Sequence, residues 1–140
     1  MHDVFLGIGS NIGDRIHFLA SAVRKIKTLP STGLVKFSSV YETEPVGIRE
    51  QANFLNAALW IQTSIEMKDF HTRTKAIEKE IGRQKSIRWG PREIDIDILL
   101  FADLIIAEPN LRIPHRDMLA RKFVLQPLAE MAPEVIHPTS

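Results

Sequence analysis

The sequence predicts an α+β sandwich, an antiparallel-rich sheet with two helices packed on it. Three observations point there. Residues 4–8, near the start, and the run EIDIDILLF at 93–101 carry strand patterns. A stretch with helical spacing follows the first of them, and a second such stretch precedes the last. Two segments rich in β-branched and aromatic residues lie between the helices.

Taken in order, VFLGI at 4–8 is short and apolar, as a buried strand requires, and GSNIGD interrupts it with glycine and turn formers. From Asp14 the spacing changes. Ile16, Leu19, Val23 and Ile26 recur on one stripe, Asp14 is placed to cap the free N–H groups, and Pro30 ends the helix. Residues 34–43 and 54–62 read as strands, joined by EPVGIREQAN, which is too long for a tight hairpin and is a candidate functional loop. Thr63 and Glu66 have the spacing of a capping box. Met67, Phe70, Thr74, Ile77 and Ile81 then mark the inner face of a second helix ending near Gly82. A basic loop, RQKSIRWGPR at 83–92, leads into EIDIDILLF, whose opening alternation is a clean strand signal. Residues 104–107 predict a further short strand and 117–125 a helix, and Pro127 suits the first position of another. The order β-α-β-β-α-β is that of a ferredoxin-like sandwich.

The 140 residues suit a single domain spanning 1–140, large enough to bury a core without staples. Eighteen Lys and Arg against 17 Asp and Glu leave a weak overall field, which argues against a general nucleic-acid or membrane-surface protein. The absence of cysteine excludes disulfides, thiolate catalysis and cysteine-based metal sites. The start MHDVFLGIGSN lacks the pattern of a signal peptide, and no apolar run approaches the roughly 20 residues needed to cross a bilayer. A soluble cytoplasmic protein is expected, as a monomer.

The residues with chemistry to offer cluster late in the chain. Asp95 and Asp97 lie two apart on a strand and so share a face, while Ile94, Ile96 and Ile98 face the core. Such a pair is either a solvated strand face or a seat for a hard divalent cation that keeps several waters, such as Mg²⁺. Arg83, Lys85, Arg88 and Arg92 approach the same end of that strand, and guanidinium groups beside a di-acid suit a metal-bridged polyphosphate. Trp89 in the middle of this loop suits a lid closing on something flat. His115, among Arg112, Arg116 and Arg121, is either a phosphate contact or a surface histidine. The other histidines form no ligand pair, which disfavours zinc. GIGSNIGDR lacks both a P-loop and the third glycine of a dinucleotide fingerprint, so it reads as a tight strand-to-helix turn. Phe54 and Asn56 share a strand face and offer a ring and a carboxamide to a flat heterocycle, with Phe123 either a second wall or core.

RWGPREIDIDILLF closely resembles the signature of the 6-hydroxymethyl-7,8-dihydropterin pyrophosphokinases, as do FLGIGSNIGDR, SSVYETEPVG, NFLNAAL and IPHRDMLARKFVLQPLAE, in the correct order over nearly the whole chain. The resemblance implies diphosphate transfer from ATP to the pterin alcohol with two Mg²⁺ ions, in folate biosynthesis. By position, Asp95 and Asp97 would ligate the metals. Arg92, His115, Arg121 and Arg83 would contact phosphates. Glu78 would lie by the nucleotide, and the backbone around Ile98 would meet adenine. Phe54 and Phe123 would sandwich the pterin, Asn56 with the backbone at Thr43 and Val46 would read its edge, and Trp89 would ride the mobile loop. Lys85 stands where some relatives carry an arginine, Arg116 where some carry a tyrosine, and some relatives continue beyond the position of IHPTS. The competing readings are a metal-dependent nuclease or nucleotidyltransferase using the same acidic pair, and a non-catalytic binding module; no nucleic-acid or membrane partner is expected.

Overall fold

The computed structural model describes residues 1–44, 52–82, 93–108, 111–114, 127, 129 and 130. Along the chain run β1 (His2–Ser10), α1 (Arg15–Lys27), β2 (Thr32–Phe37), β3 (Tyr41–Thr43), β4 (Phe54–Thr63), α2 (Met67–Ile81), β5 (Asp95–Phe101), β6 (Ile106–Glu108) and β7 (Leu111–Ile113). The sheet order is β2-β4-β1-β5, with β3 also paired to β4, and every pairing is antiparallel. This is the arrangement expected of a ferredoxin-like sandwich. Strands β6 and β7 form a separate hairpin, and Ile113 at its end reaches the core.

Alternation along the strands separates the two faces of the sheet. Val4, Leu6 and Ile8 of β1, Leu55, Ala57, Leu59 and Ile61 of β4, and Ile94, Ile96 and Ile98 at β5 join one apolar cluster. Leu19, Ala22 and Ile26 of α1 and Met67, Phe70 and Ile77 of α2 complete it. Phe70 meets Phe101 edge-on at 5.9 Å. On the outer surface of the helix layer, Lys25 and Glu80 join α1 to α2 at 2.9 Å. Asp14 caps α1 as expected, its carboxylate accepting from the His17 N–H at 3.1 Å. Gly82 ends α2 with a φ of 120°, a conformation that only glycine adopts without strain.

Two expectations are corrected. The run 34–43 is two strands rather than one, because Ser38 breaks the ladder. Its hydroxyl, in place of a backbone carbonyl, accepts from the Ala58 N–H at 2.8 Å, while the Ser39 N–H turns to Glu130 at 3.0 Å. Serine competes with backbone partners in this way. The Thr63–Glu66 capping box does not form. Thr63 belongs to β4 and pairs with the Thr32 hydroxyl, and Glu66 is itself the cap, accepting from the Lys68 and Asp69 N–H groups. The short strand expected at 104–107 is found as β6, at 106–108. Pro127 is helical and buried, with Ala129 and Glu130 helical beside it; the helix expected at 117–125 lies outside the described residues. No helix among the described residues is long and apolar enough to cross a membrane.

Phe70 of α2 is fully buried and packs edge-on against Phe101 at the end of β5, so its truncation opens a cavity in the core. Phe70→Ala is expected to lower unfolding free energy by about 3–5 kcal/mol in urea titrations, with the m-value unchanged.

Candidate active site

The sheet face turned away from the helices brings several of the expected site residues together, at the C-terminal end of β1. Register fixes who stands beside whom. Gly9 lies opposite Asn56 on one side and Asp95 on the other, and Gly7 lies between Ala58 and Asp97 in the same way. Tyr41 and Thr43 of β3 extend these rows beyond β4, opposite Asn56 and Phe54. With strands roughly 4.8 Å apart, the carboxamide side and the carboxylate side are separated by about 10 Å across a floor of glycine.

That floor is tightly fitted. A Cβ on Gly9 would stand 2.7 Å from the Asn56 Oδ1 and 3.6 Å from the Phe54 ring. A Cβ on Gly7 would meet only ordinary contacts from Leu99, the nearest at 3.5 Å. Asn56 is buried, and its Nδ2 donates to the Thr43 hydroxyl at 2.6 Å. Ring, carboxamide and hydroxyl therefore converge over Gly9, as a flat heterocycle with hydrogen-bonding edges needs. Farther along this face Phe5 stacks on Trp60. Hydrogen bonds from Trp60 and Gln62 to Asp3 hold that carboxyl below its ordinary range.

Asp95 and Asp97 open β5, half-buried on the same face, while Ile94 and Ile96 are buried behind them as their alternation predicts. No cluster of three or more metal-ligating side chains occurs among the described residues. A pair of carboxylates nonetheless fits Mg²⁺, which demands oxygen donors and fills its remaining positions with water and substrate phosphates. The glycine floor beside the pair leaves space where side chains would otherwise stand. Glu78, which the resemblance sets by a nucleotide, is buried on the inner side of α2. Its Oε2 accepts from the Ile96 N–H at 2.7 Å and from the Lys75 Nζ at 3.3 Å. Ile98 keeps its side chain in the core. Its backbone lies two residues beyond Ile96 and so addresses the same edge of β5, away from β1. Burial pushes the His71 imidazole below its ordinary pKa and Lys75 adds to this, while Glu78 and Asp97 pull it up.

GSNIGDR is a strand-to-helix turn, as its missing glycine predicts, and it does more than turn. Asn11 is buried and donates to the Ala52 carbonyl at 3.0 Å, and Arg15 donates to the Asn53 carbonyl at 2.9 Å. Together they fix the backbone entering β4 just before Phe54. Gly13 has a φ of 72°, and a Cβ there would meet Phe18 at 2.9 Å. Sequence reasoning passed over Asn11, Arg15 and Gly9 as punctuation; the signal was polar side chains too long for a plain turn. Val46, Arg83, Lys85, Arg88, Trp89, Arg92, His115, Arg116, Arg121 and Phe123 lie outside the described residues.

Residues 5–133 match the family model of the 7,8-dihydro-6-hydroxymethylpterin-pyrophosphokinases, HPPK. The chain belongs to that family. The 2-amino-4-hydroxy-6-hydroxymethyldihydropteridine pyrophosphokinase of Aquifex aeolicus is 44% identical over 138 residues, covering 99% of this chain and 85% of that one. The Bacillus subtilis protein of the same name is 45% identical over 131 residues, covering 94% of this chain and 78% of its own length. The crystal structure of wild-type HPPK-DHPS from Plasmodium falciparum shares the fold, with a TM-score of 0.78 at 18% identity. All of this chain aligns there to 41% of the longer protein. The nuclease or nucleotidyltransferase alternative finds no support in these matches.

For an HPPK, the fit at Gly9 yields a specific expectation. Gly9→Ala forces the Asn56 carboxamide off its position and is expected to raise the KM for the pterin on the order of tenfold, the worth of one positioned hydrogen bond. The KM for ATP stays near wild type, and steady-state kinetics with each substrate varied in turn checks this.

Proposed function

We propose that the open sheet face holds the pterin over Gly9 and the ATP phosphates beside Asp95 and Asp97. The chain is a pyrophosphokinase of folate biosynthesis, moving pyrophosphate from ATP to hydroxymethyldihydropterin. What supports this placing of the substrates is one observation, the rows in which Asn56 and Asp95 flank the same glycine. A heterocycle seated against Phe54 and Asn56 has its substituent directed across β1 toward the acidic pair.

In the reaction the hydroxymethyl oxygen forms a bond to the β-phosphorus of ATP, the bond from that phosphorus to the α,β-bridging oxygen breaks, and AMP leaves. The alcohol proton passes to a phosphate oxygen of the departing AMP and reaches solvent when the products leave. Asn56 and Thr43, with the backbone near Val46, orient the pterin edge, and Phe54 and Phe123 hold its two flat sides. Asp95 and Asp97 are the proposed ligands of two Mg²⁺ ions. When bound, these ions supply neutralisation of phosphate charge and orientation of the displacement. Arg92, His115, Arg121 and Arg83 pair with phosphate oxygens, and Trp89 closes over the site to exclude water. Glu78 lies at the nucleotide side, and the backbone of Ile98, at the edge of β5, is available to adenine. Every proposed contact comes from one chain, so a monomer suffices. ATP as donor suits a cytoplasmic location, and residues 1–140 act as a single catalytic domain.

AMP release from ATP with Mg²⁺ is expected only when 6-hydroxymethyl-7,8-dihydropterin is present, matched by pterin diphosphate. Chelation of the metal abolishes it and added Mg²⁺ restores it. Asp97→Ala is expected to lose on the order of a thousandfold in kcat, since such ions contribute several kcal/mol to the transition state. Pterin-independent AMP, or an Asp97→Ala enzyme of near wild-type rate, would contradict the proposal.

A further inference from the structure

We propose that Glu78 and Lys75 of α2 are positioning residues for the acidic pair, acting by clamping the backbone of Ile96 from the edge of the sheet. The inference rests on the reading of Asp95 and Asp97 as metal ligands.

Among the described residues β5 is an edge strand, with β1 its one strand partner. Its N-terminal end carries Asp95 and Asp97 on one face, and a metal site built on them needs the backbone between them held in place. Ile96 stands between them. Its N–H and C=O point away from β1, the direction in which an edge strand is ordinarily left to water. Here the N–H donates to Glu78 Oε2 at 2.7 Å, and the C=O accepts from Lys75 Nζ at 3.3 Å. The same ammonium reaches Glu78 Oε2 at 3.3 Å, closing a three-cornered network. Helix α2 thus continues the ladder that a neighbouring strand would have supplied, with one acceptor and one donor.

The burial of Glu78 sharpens the argument. Only 1% of the residue is exposed, at a helix position lined by Thr74, Ile77 and the core. A carboxylate there is costly unless it is paired and hydrogen-bonded, and an aliphatic side chain would pack the same space more stably. The Glu78 carboxylate and the Lys75 ammonium hold the two polar groups of the Ile96 backbone between Asp95 and Asp97. Partners that orient ligands in this way typically matter ten- to hundredfold to metal affinity or activity.

The test measures Mn²⁺ binding by the electron paramagnetic resonance of the free ion, in the presence of α,β-methylene-ATP, alongside hydrogen exchange at the Ile96 amide. Glu78→Ala is expected to weaken Mn²⁺ binding on the order of ten- to hundredfold and to speed exchange at Ile96. Glu78→Gln keeps an acceptor for the Ile96 N–H and should recover part of both. Unchanged Mn²⁺ affinity in Glu78→Ala, with only the KM for ATP raised, would overturn the proposal and leave Glu78 a nucleotide contact. Should Glu78→Ala fail to fold, Lys75→Met removes the tie to the Ile96 carbonyl together with the ion pair to Glu78, and leaves the Glu78 bond to the Ile96 N–H. A several-fold loss of Mn²⁺ affinity there supports the clamp, and wild-type affinity refutes it. Asp97→Asn serves as the control for the underlying reading. If it binds Mn²⁺ as well as wild type, the assignment of Asp97 as a ligand fails, whatever the Ile96 amide does.

Discussion

Strand β1 is paired on both sides, along its whole length to β4 and over most of it to β5. Because side chains alternate, each residue of β1 serves one of two surfaces, and a slip of one position would exchange them. Val4, Leu6 and Ile8 are committed to the helices, which leaves Gly7 and Gly9 on the other face between the two outer partners. Neither the core nor the site can shift register without destroying the other. The apolar burial that holds the helices down therefore also decides which strand positions are presented on the open face.

The site inherits a division of labour from this arrangement. On the β4 side stand an aromatic ring and a carboxamide already tied to a hydroxyl, groups that recognise shape and edge. On the β5 side stand two carboxylates on one strand face, groups suited to positive charge. The glycines between carry no side chain to obstruct a molecule spanning both. Support comes from behind and from the ends: Asn11 and Arg15 hold the entry to β4, and Glu78 with Lys75 holds β5.

Much of this was legible in the sequence. The alternation in EIDIDILLF sends Asp95 and Asp97 to one face and the isoleucines to the core, and the structure has both. The helices were readable from their stripes, because burial is what the spacing of Leu19 and Ile26 or of Phe70 and Ile77 encodes. The break at Ser38 was not, since the apolar pattern runs through it and the cause is a hydroxyl bonded to a strand brought alongside by the fold. Thr63 misled for a related reason: the spacing matches a cap, but β4 extends far enough to use it. Glu78 lies on the inner side of α2 close to Ile77 and Ile81, and a charged residue within an apolar stripe is a signal that sequence pattern can register. Its contact with Ile96 depends on the packing of α2 against β5, which no local pattern contains. The same holds for Gly9, whose neighbours come from β4 and β5.

The central position of β1 also has a bearing on how the chain is made. Its two partners are synthesised at very different times, β4 in the middle of translation and β5 well after it. At roughly 5–20 residues per second, several seconds separate the emergence of β1 from that of the strand that closes its second edge. Both edges of β1 are open until β4 emerges, and from then until β5 emerges one row of its hydrogen-bonding groups is unsatisfied, the kind of edge on which other chains assemble. Contacts this distant in sequence also slow folding in general. Expression at lower temperature, or with chaperones that bind extended apolar segments, should accordingly raise the yield of native protein more than added stability in the helices would.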